Sequence, residues 1–490
     1  MNKWVWILGG AAVALGGTIA ARTAMFEPEA VGTGAGIKVA AAPAFDTALA
    51  AQHLSQAVQI QTVSHQDPAE NQLGEWTKLH AWLTATYPKV STKMQWHELG
   101  QTLIYVWPGS DPAAQPIIVM AHQDVVPVTP GTEKDWKHAP FAGEIAEGAV
   151  WGRGSVDDKG SLVALFEGLE ALAGQGFTPK RTIILVSGHD EEVGGTGAKA
   201  AADWLAARHT KALFTIDEGG LIATDTPMIN GSAAMIGVAE KGYVTLKVVA
   251  PAKGGHSSAP PQTEEIGTIN LAKALLRIEA RQFPLELRGP AEGMVSVLAA
   301  KAGGMNKLAA ANRWLFNGLI VSRMGGNPAS AAMLHTTIAP TMLTGSPKEN
   351  VLPQTATALI NYRIAPWDSS AKVLARARGA VGKLPVTVDF SGGALREPSP
   401  VSSSNSPGWN LIAATVAADR PGLVVSPYLV VAGTDSRSMS PVSSDVYRFQ
   451  AISLASTDIK MIHGTNEHMT LDNLTSLIRF YARLIATAAG

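Results

Sequence analysis

Along positions 43–240, short apolar runs alternate with segments whose apolar residues recur at helical spacing. That pattern predicts an α/β domain with a mixed or parallel sheet. The runs at 117–121, 182–187 and 212–216 read as strands, and the spacing within 161–172 predicts a helix. Asp157 and Asp158 stand just ahead of that helix, where a carboxylate caps free N–H groups. Near Lys241 the pattern changes. Residues 243–249 alternate as a half-exposed strand, 254–258 form a Gly-Gly-His-Ser-Ser loop, 266–279 return to the helical period, and 356–364 alternate again. These shifts predict a second domain of sheet and helices inserted at 241–364, with the first domain covering 43–240 and resuming over 365–490.

Ahead of both lies an uncharged stretch, 4–21, between Lys3 and Arg22, followed by Ala- and Gly-rich sequence to position 42. Its length sits near the lower limit for crossing a bilayer, so 1–42 reads as an export signal or membrane anchor with its linker. The folded body would then stand on the periplasmic or extracellular side. A buried N-terminal helix is the alternative.

Composition narrows the classes. With 46% apolar and 16% charged residues the 490-residue chain is a folded body large enough for two domains. A net charge of -1 without basic runs excludes nucleic acid as a natural partner. The chain has no cysteine, so any metal is held by His, Asp and Glu.

Those residue types gather after the strands, where open α/β sheets place their ligand crevice. They are His122-Gln123-Asp124, Asp157-Asp158, Glu191-Glu192, Asp217-Glu218 and His463. Zinc accepts imidazole nitrogen and carboxylate oxygen, and two ions share a bridging carboxylate. Two residues apart on an extended segment, Asp124 is placed to fix the tautomer of His122. Each group also has a plain reading: a loop histidine beside a solvated Asp, a helix cap at 157–158, an acidic turn at 191–192.

Longer segments carry a resemblance: AHQDVVPV at 121–128, DWKHAPFAGEI at 135–145, VWGRGSVDDKG at 150–160 and GHDEEVGG at 188–195. IDEGG at 216–220, KGGHSSAP at 253–260, KENVLP at 348–353, AGTDSR at 432–437 and HGTNE at 463–467 continue it. In these segments the chain resembles the M20 zinc metallopeptidases, in the branch of carboxypeptidase S and the N-fatty-acyl-amino-acid hydrolases. The resemblance implies a zinc-exopeptidase-like catalytic domain, a mixed sheet flanked by helices, with an inserted α+β lid and dimerisation domain. It implies two Zn2+ per subunit, with Co2+ or Mn2+ as substitutes. Asp157 would bridge them, His122 and Asp217 would complete one site, and Glu192 and His463 the other. Asp124 would orient His122, and a cis bond would follow Asp157.

Glu191 would be the general base toward a water between the ions. His256 would steady the oxyanion, reaching across from a partner subunit in a homodimer. Asn350, Arg363 and the Gly433-Thr434 backbone would hold the substrate carboxylate, a task suited to Arg because its planar fork pairs with two oxygens. His335 stands where relatives carry arginine. The expected reaction is cleavage of an amide beside a free amino-acid carboxylate, by a carboxypeptidase of short peptides or by an N-acyl-amino-acid hydrolase/synthase. A metal-free binding scaffold is the alternative from another class. The apolar residues 314–316 and 319–321 would line an acyl channel or a helix core.

Overall fold

The computed structural model describes residues 3–28 and 31–490; Met1, Asn2, Glu29 and Ala30 of the expected leader lie outside the described residues. Three parallel strands form the middle of a ten-stranded sheet: Ile117–Met120 lies between Ile183–Ser187 and Phe214–Asp217. Every residue of these three is buried, which accounts for their unbroken apolar runs. Thr102–Trp107 and Gln95–Leu99 extend one side antiparallel. The other side continues through Val446–Arg448, Gly231–Glu240, Leu221–Thr226 and Ser453–Leu454, and Val424–Val430 pairs with Gly231–Glu240. The helix expected at 161–172 runs Lys159–Gly174 and is buried through most of its length, against the C-terminal helix Leu471–Ala489.

A second, four-stranded antiparallel sheet orders Thr337–Thr344, Thr355–Ile364, Gly242–Pro251 and Thr387–Phe390. Its core is completed by Gly267–Glu279 and Ser370–Val381, so the layer draws on sequence beyond position 364. Alternating burial along Gly242–Pro251 reproduces the period-two pattern of the sequence.

The helical stretch 290–333 behaves otherwise. Met294, Val295, Leu298 and Met333 pack on Ala233, Met235 and Leu429 of the large sheet. No residue of Arg313–Gly325 is fully buried; Trp314, Leu315 and Leu319 are exposed, while Ile320 and Val321 pack partly buried against this core, so the core reading of 314–321 holds for one side of the helix only. The N-terminal helix Lys3–Ala24 meets this stretch: Asn312 Nδ2 donates to Thr23 Oγ1 at 3.1 Å. Among the described residues no helix is long and apolar enough to cross a membrane, and the anchor expectation gains no support.

Candidate active site

The site forms where the parallel strands of the large sheet end. The segment 122–124 follows Ile117–Met120, 191–193 follows Ile183–Ser187, and 217–218 closes Phe214–Asp217. Asp157 sits before the buried helix, and the Asp157-Asp158 peptide is cis, as expected. Asp158 does not cap that helix with its side chain. Its carboxylate accepts the His122 N–H at 3.2 Å and Gln450 Nε2 at 2.9 Å instead.

Asp157 divides its oxygens. Oδ1 lies 2.9 Å from His122 Nε2, and Oδ2 lies 3.1 Å from His463 Nε2. Glu192 Oε2 is 3.1 Å from the same His463 nitrogen, and Glu218 Oε1 is 3.8 Å from His122 Nε2. Two donor triads result, His122–Asp157–Glu218 and Asp157–Glu192–His463, each compact enough for one cation and joined through Asp157. Glu218, rather than the expected Asp217, belongs to the first triad. Asp217 is buried with Oδ2 on the Ser436 N–H at 2.9 Å, which turns it toward the 432–437 loop.

Asp124 orders two arms of the site. His122 Nδ1 meets the Asp124 carbonyl at 2.9 Å and its Oδ1 at 3.3 Å, which leaves Nε2 directed at Asp157. The same carboxylate accepts the backbone N–H groups of Glu191 and Glu192, both at 3.1 Å, and Ser64 Oγ at 2.6 Å. It therefore fixes the histidine and the start of the carboxylate loop together.

Another pair holds the far side. Arg153 and Glu467 are buried and joined at 2.7 Å; Glu467 accepts the Asp157 N–H at 3.1 Å, while Arg153 donates to the carbonyls of His463 and Gly464. His463 itself has φ 59°, a left-handed conformation uncommon outside glycine that the surrounding contacts sustain. Sequence reading gave neither Arg153 nor Glu467 a role, although both lie inside the motif segments quoted above.

Among the described residues, charge in the cluster is countered only by the two imidazoles. Burial, with Asp157 nearby, raises the carboxyl groups of Glu192 and Glu218, and burial with Asp435 and Glu192 raises Glu191 well above the usual range. Burial alone would lower His122, but Asp124 and Asp157 raise it well above its ordinary value; Asp157 and Glu192 push half-exposed His463 up to about 10. Among the described residues no lysine or arginine ion-pairs with Asp157, Glu191, Glu192 or Glu218. Glu192 Oε1 is buried without a hydrogen-bond partner. Buried acids of this density need cations, and an N/O donor set with a shared carboxylate fits a pair of divalent ions.

The residues expected at the substrate end are more dispersed. His256 is exposed, on a short strand paired with Val351–Leu352, and its Nδ1 contacts Ser258 Oγ at 2.7 Å. Asn350 lies beside it, its carbonyl accepting the Ser257 N–H at 3.1 Å, and its Oδ1 is buried without a partner. Among the described residues no hydrogen bond or ion pair joins His256 or Asn350 to the donor triads. Arg363 is half-buried and stacks 4.9 Å from the Tyr243 ring centre. Gly433 packs where a side chain would collide with the Arg437 guanidinium. The Thr434 N–H is given to Glu240 Oε2 at 3.1 Å, which removes it from the carboxylate-binding role expected of it.

A mixed sheet with paired His and carboxylate triads at its strand ends offers candidate sites for two cations. Residues 118–487 match the family described as Peptidase family M20/M25/M40, and the chain belongs to it. It is 33% identical to "Probable carboxypeptidase S-like 2" of Dictyostelium discoideum, over 89% of this chain and 84% of that one. It is 34% identical to human "N-fatty-acyl-amino acid synthase/hydrolase PM20D1", over 89% and 87%. Among solved structures, the M20 family metallo-carboxypeptidase Sso-CP2 from Sulfolobus solfataricus superposes with TM-score 0.64 at 16% identity, covering 90% of this chain and 99% of that one. The chain is thus a hydrolase with an M20 fold.

Proposed function

We propose that the protein hydrolyses the amide bond beside a free amino-acid carboxylate, with two Zn2+ held by His122, Asp157 and Glu218 and by Asp157, Glu192 and His463. The observation that carries this reading is the division of Asp157 between two imidazoles at 2.9 and 3.1 Å. Bound there, the ions would acidify a shared water and polarise the scissile carbonyl.

Glu191 takes the water proton at its carboxylate and returns it to the leaving nitrogen. Burial favours that cycle, because a carboxylate raised in pKa is a stronger base and then a ready proton carrier. Asp124 keeps Glu191 and His122 in register. Arg363 pairs with the substrate carboxylate through its planar fork. Asn350 and the Gly433 backbone help Arg363 to hold that carboxylate, and His256 serves the oxyanion from a partner subunit in a homodimer.

Short peptides are the first substrate class, supported by the 33% likeness to a probable carboxypeptidase S-like protein. The 34% likeness to an N-fatty-acyl-amino acid synthase/hydrolase supports N-acyl amino acids as the second. A hydrolysis panel on zinc-loaded protein, dipeptides against long-chain N-acyl amino acids, decides between them by mass spectrometry. Preferred cleavage of dipeptides supports the carboxypeptidase reading, preferred cleavage of acyl substrates replaces it, and cleavage of neither overturns both.

A further inference from the structure

A row of side chains crosses the second sheet toward the loop that carries Glu191. Tyr243 is the register partner of Arg363 on one side and pairs antiparallel with Arg396 on the other. With Arg396 it exchanges two backbone hydrogen bonds, Tyr243 N–H to the Arg396 carbonyl at 2.7 Å and Arg396 N–H to the Tyr243 carbonyl at 2.8 Å. Directly opposed residues of an antiparallel pair share a face, so Arg363, Tyr243 and Arg396 stand in one line. Arg363 leans on the Tyr243 ring, and the Arg396 guanidinium donates to the carbonyl of Gly194, in the loop of Glu191 and Glu192.

Both guanidinium groups are half-buried, and among the described residues neither has a carboxylate as an ion-pair partner. The nearby acid, Glu240, is already committed: Arg448 Nε and a terminal nitrogen of Arg437 each reach it at 2.6 Å. Burial, then Arg437, hold Arg396 below its ordinary range, against the opposing pull of Glu191, Asp435 and Glu240, none of which reaches it as an ion pair. One α-carboxylate satisfies one guanidinium fork. A second fork beside it, desolvated and unmatched, favours a second anionic group on the same molecule.

We infer that Arg396 is a specificity-determining residue, and that the amino acid released at this site carries an acidic side chain, aspartate or glutamate. Its α-carboxylate pairs with Arg363 and its side-chain carboxylate with Arg396, whose remaining N–H groups are free of Gly194. This rests on the amide-hydrolase reading above and adds the substrate class to it. A neutral isostere such as glutamine fills the same space and leaves the Arg396 charge unmatched, a difference of about tenfold or more in kcat/KM.

The test compares dipeptides and N-acyl amino acids ending in Glu with those ending in Gln, on zinc-loaded full chain. In parallel, calorimetry measures binding of free L-glutamate and L-glutamine. The expected result is a Glu-over-Gln preference of about tenfold that collapses toward unity in Arg396→Gln and is partly kept in Arg396→Lys. Equal or reversed rates in the wild type overturn the inference, and that comparison does not depend on any variant folding. A wild-type preference that survives in both variants removes Arg396 from the role and overturns it as stated. If no substrate is cut yet glutamate binds more tightly than glutamine, the hydrolase reading fails and the acidic-ligand assignment stands. If neither binds preferentially, the assignment falls too.

Discussion

Two groups of carboxylates, one of them a single residue, stand close together in this fold and are balanced in opposite ways. Glu240 is fully buried and held by Arg448, Arg437, the Thr434 hydroxyl and the Thr434 N–H. Burial alone would raise its pKa, but Arg448 and Arg437 hold it below the usual range. Asp157, Glu192 and Glu218 have imidazoles and each other, and burial drives both glutamates upward. The first group is complete as protein; the second is complete only with cations. A buried acid with arginine partners is part of the framework, whereas crowded acids without them are a binding site.

The contrast is sharpest in substitutions. Glu191→Gln should lower kcat by about a thousandfold while both metals stay bound, since it removes the proton acceptor and no ligand; steady-state kinetics with metal analysis reads this, and retained turnover would take Glu191 out of the reaction. Glu240→Gln should act the other way. It strands Arg448 inside the protein and should cost about 3 kcal/mol of stability in denaturant melts, with metal content in the surviving fold unchanged.

Next in size, Glu218→Gln should weaken one cation by more than the roughly 10–100-fold typical of losing a group that only supports a ligand. Asp217→Asn should weaken it less, because Asp217 bonds the Ser436 backbone. The reverse order in a metal titration would restore the sequence-based choice. The smallest effect is expected from Arg363→Ala, about a tenfold rise in KM for free-carboxylate substrates with little change for amidated ones.

Much of this was legible beforehand because strand ends write themselves into sequence. Unbroken apolar runs located the three parallel strands, and the polar residues directly after them, His122, Glu191 and Glu192, are where the crevice forms. Asp217 and Glu218 show the limit. Adjacent carboxylates at a strand end point to different sides, and here Glu218 faces His122 while Asp217 bonds the Ser436 backbone. Resolving it requires Ser436, which arrives from a segment 219 residues away. Arg153 and Glu467 were invisible as a pair for the same reason, being 314 residues apart. The fourth strand of the second sheet, Thr387–Phe390, is short, with one buried residue, so no periodicity announced it.

The shared role of Asp157 is the point on which the account turns, and metal stoichiometry with affinity in Asp157→Asn tests it most directly. Both zinc ions should be weakened together in a protein that still folds, because one carboxylate serves both triads. Loss of a single ion, with the other bound as tightly as in the wild type, would contradict it.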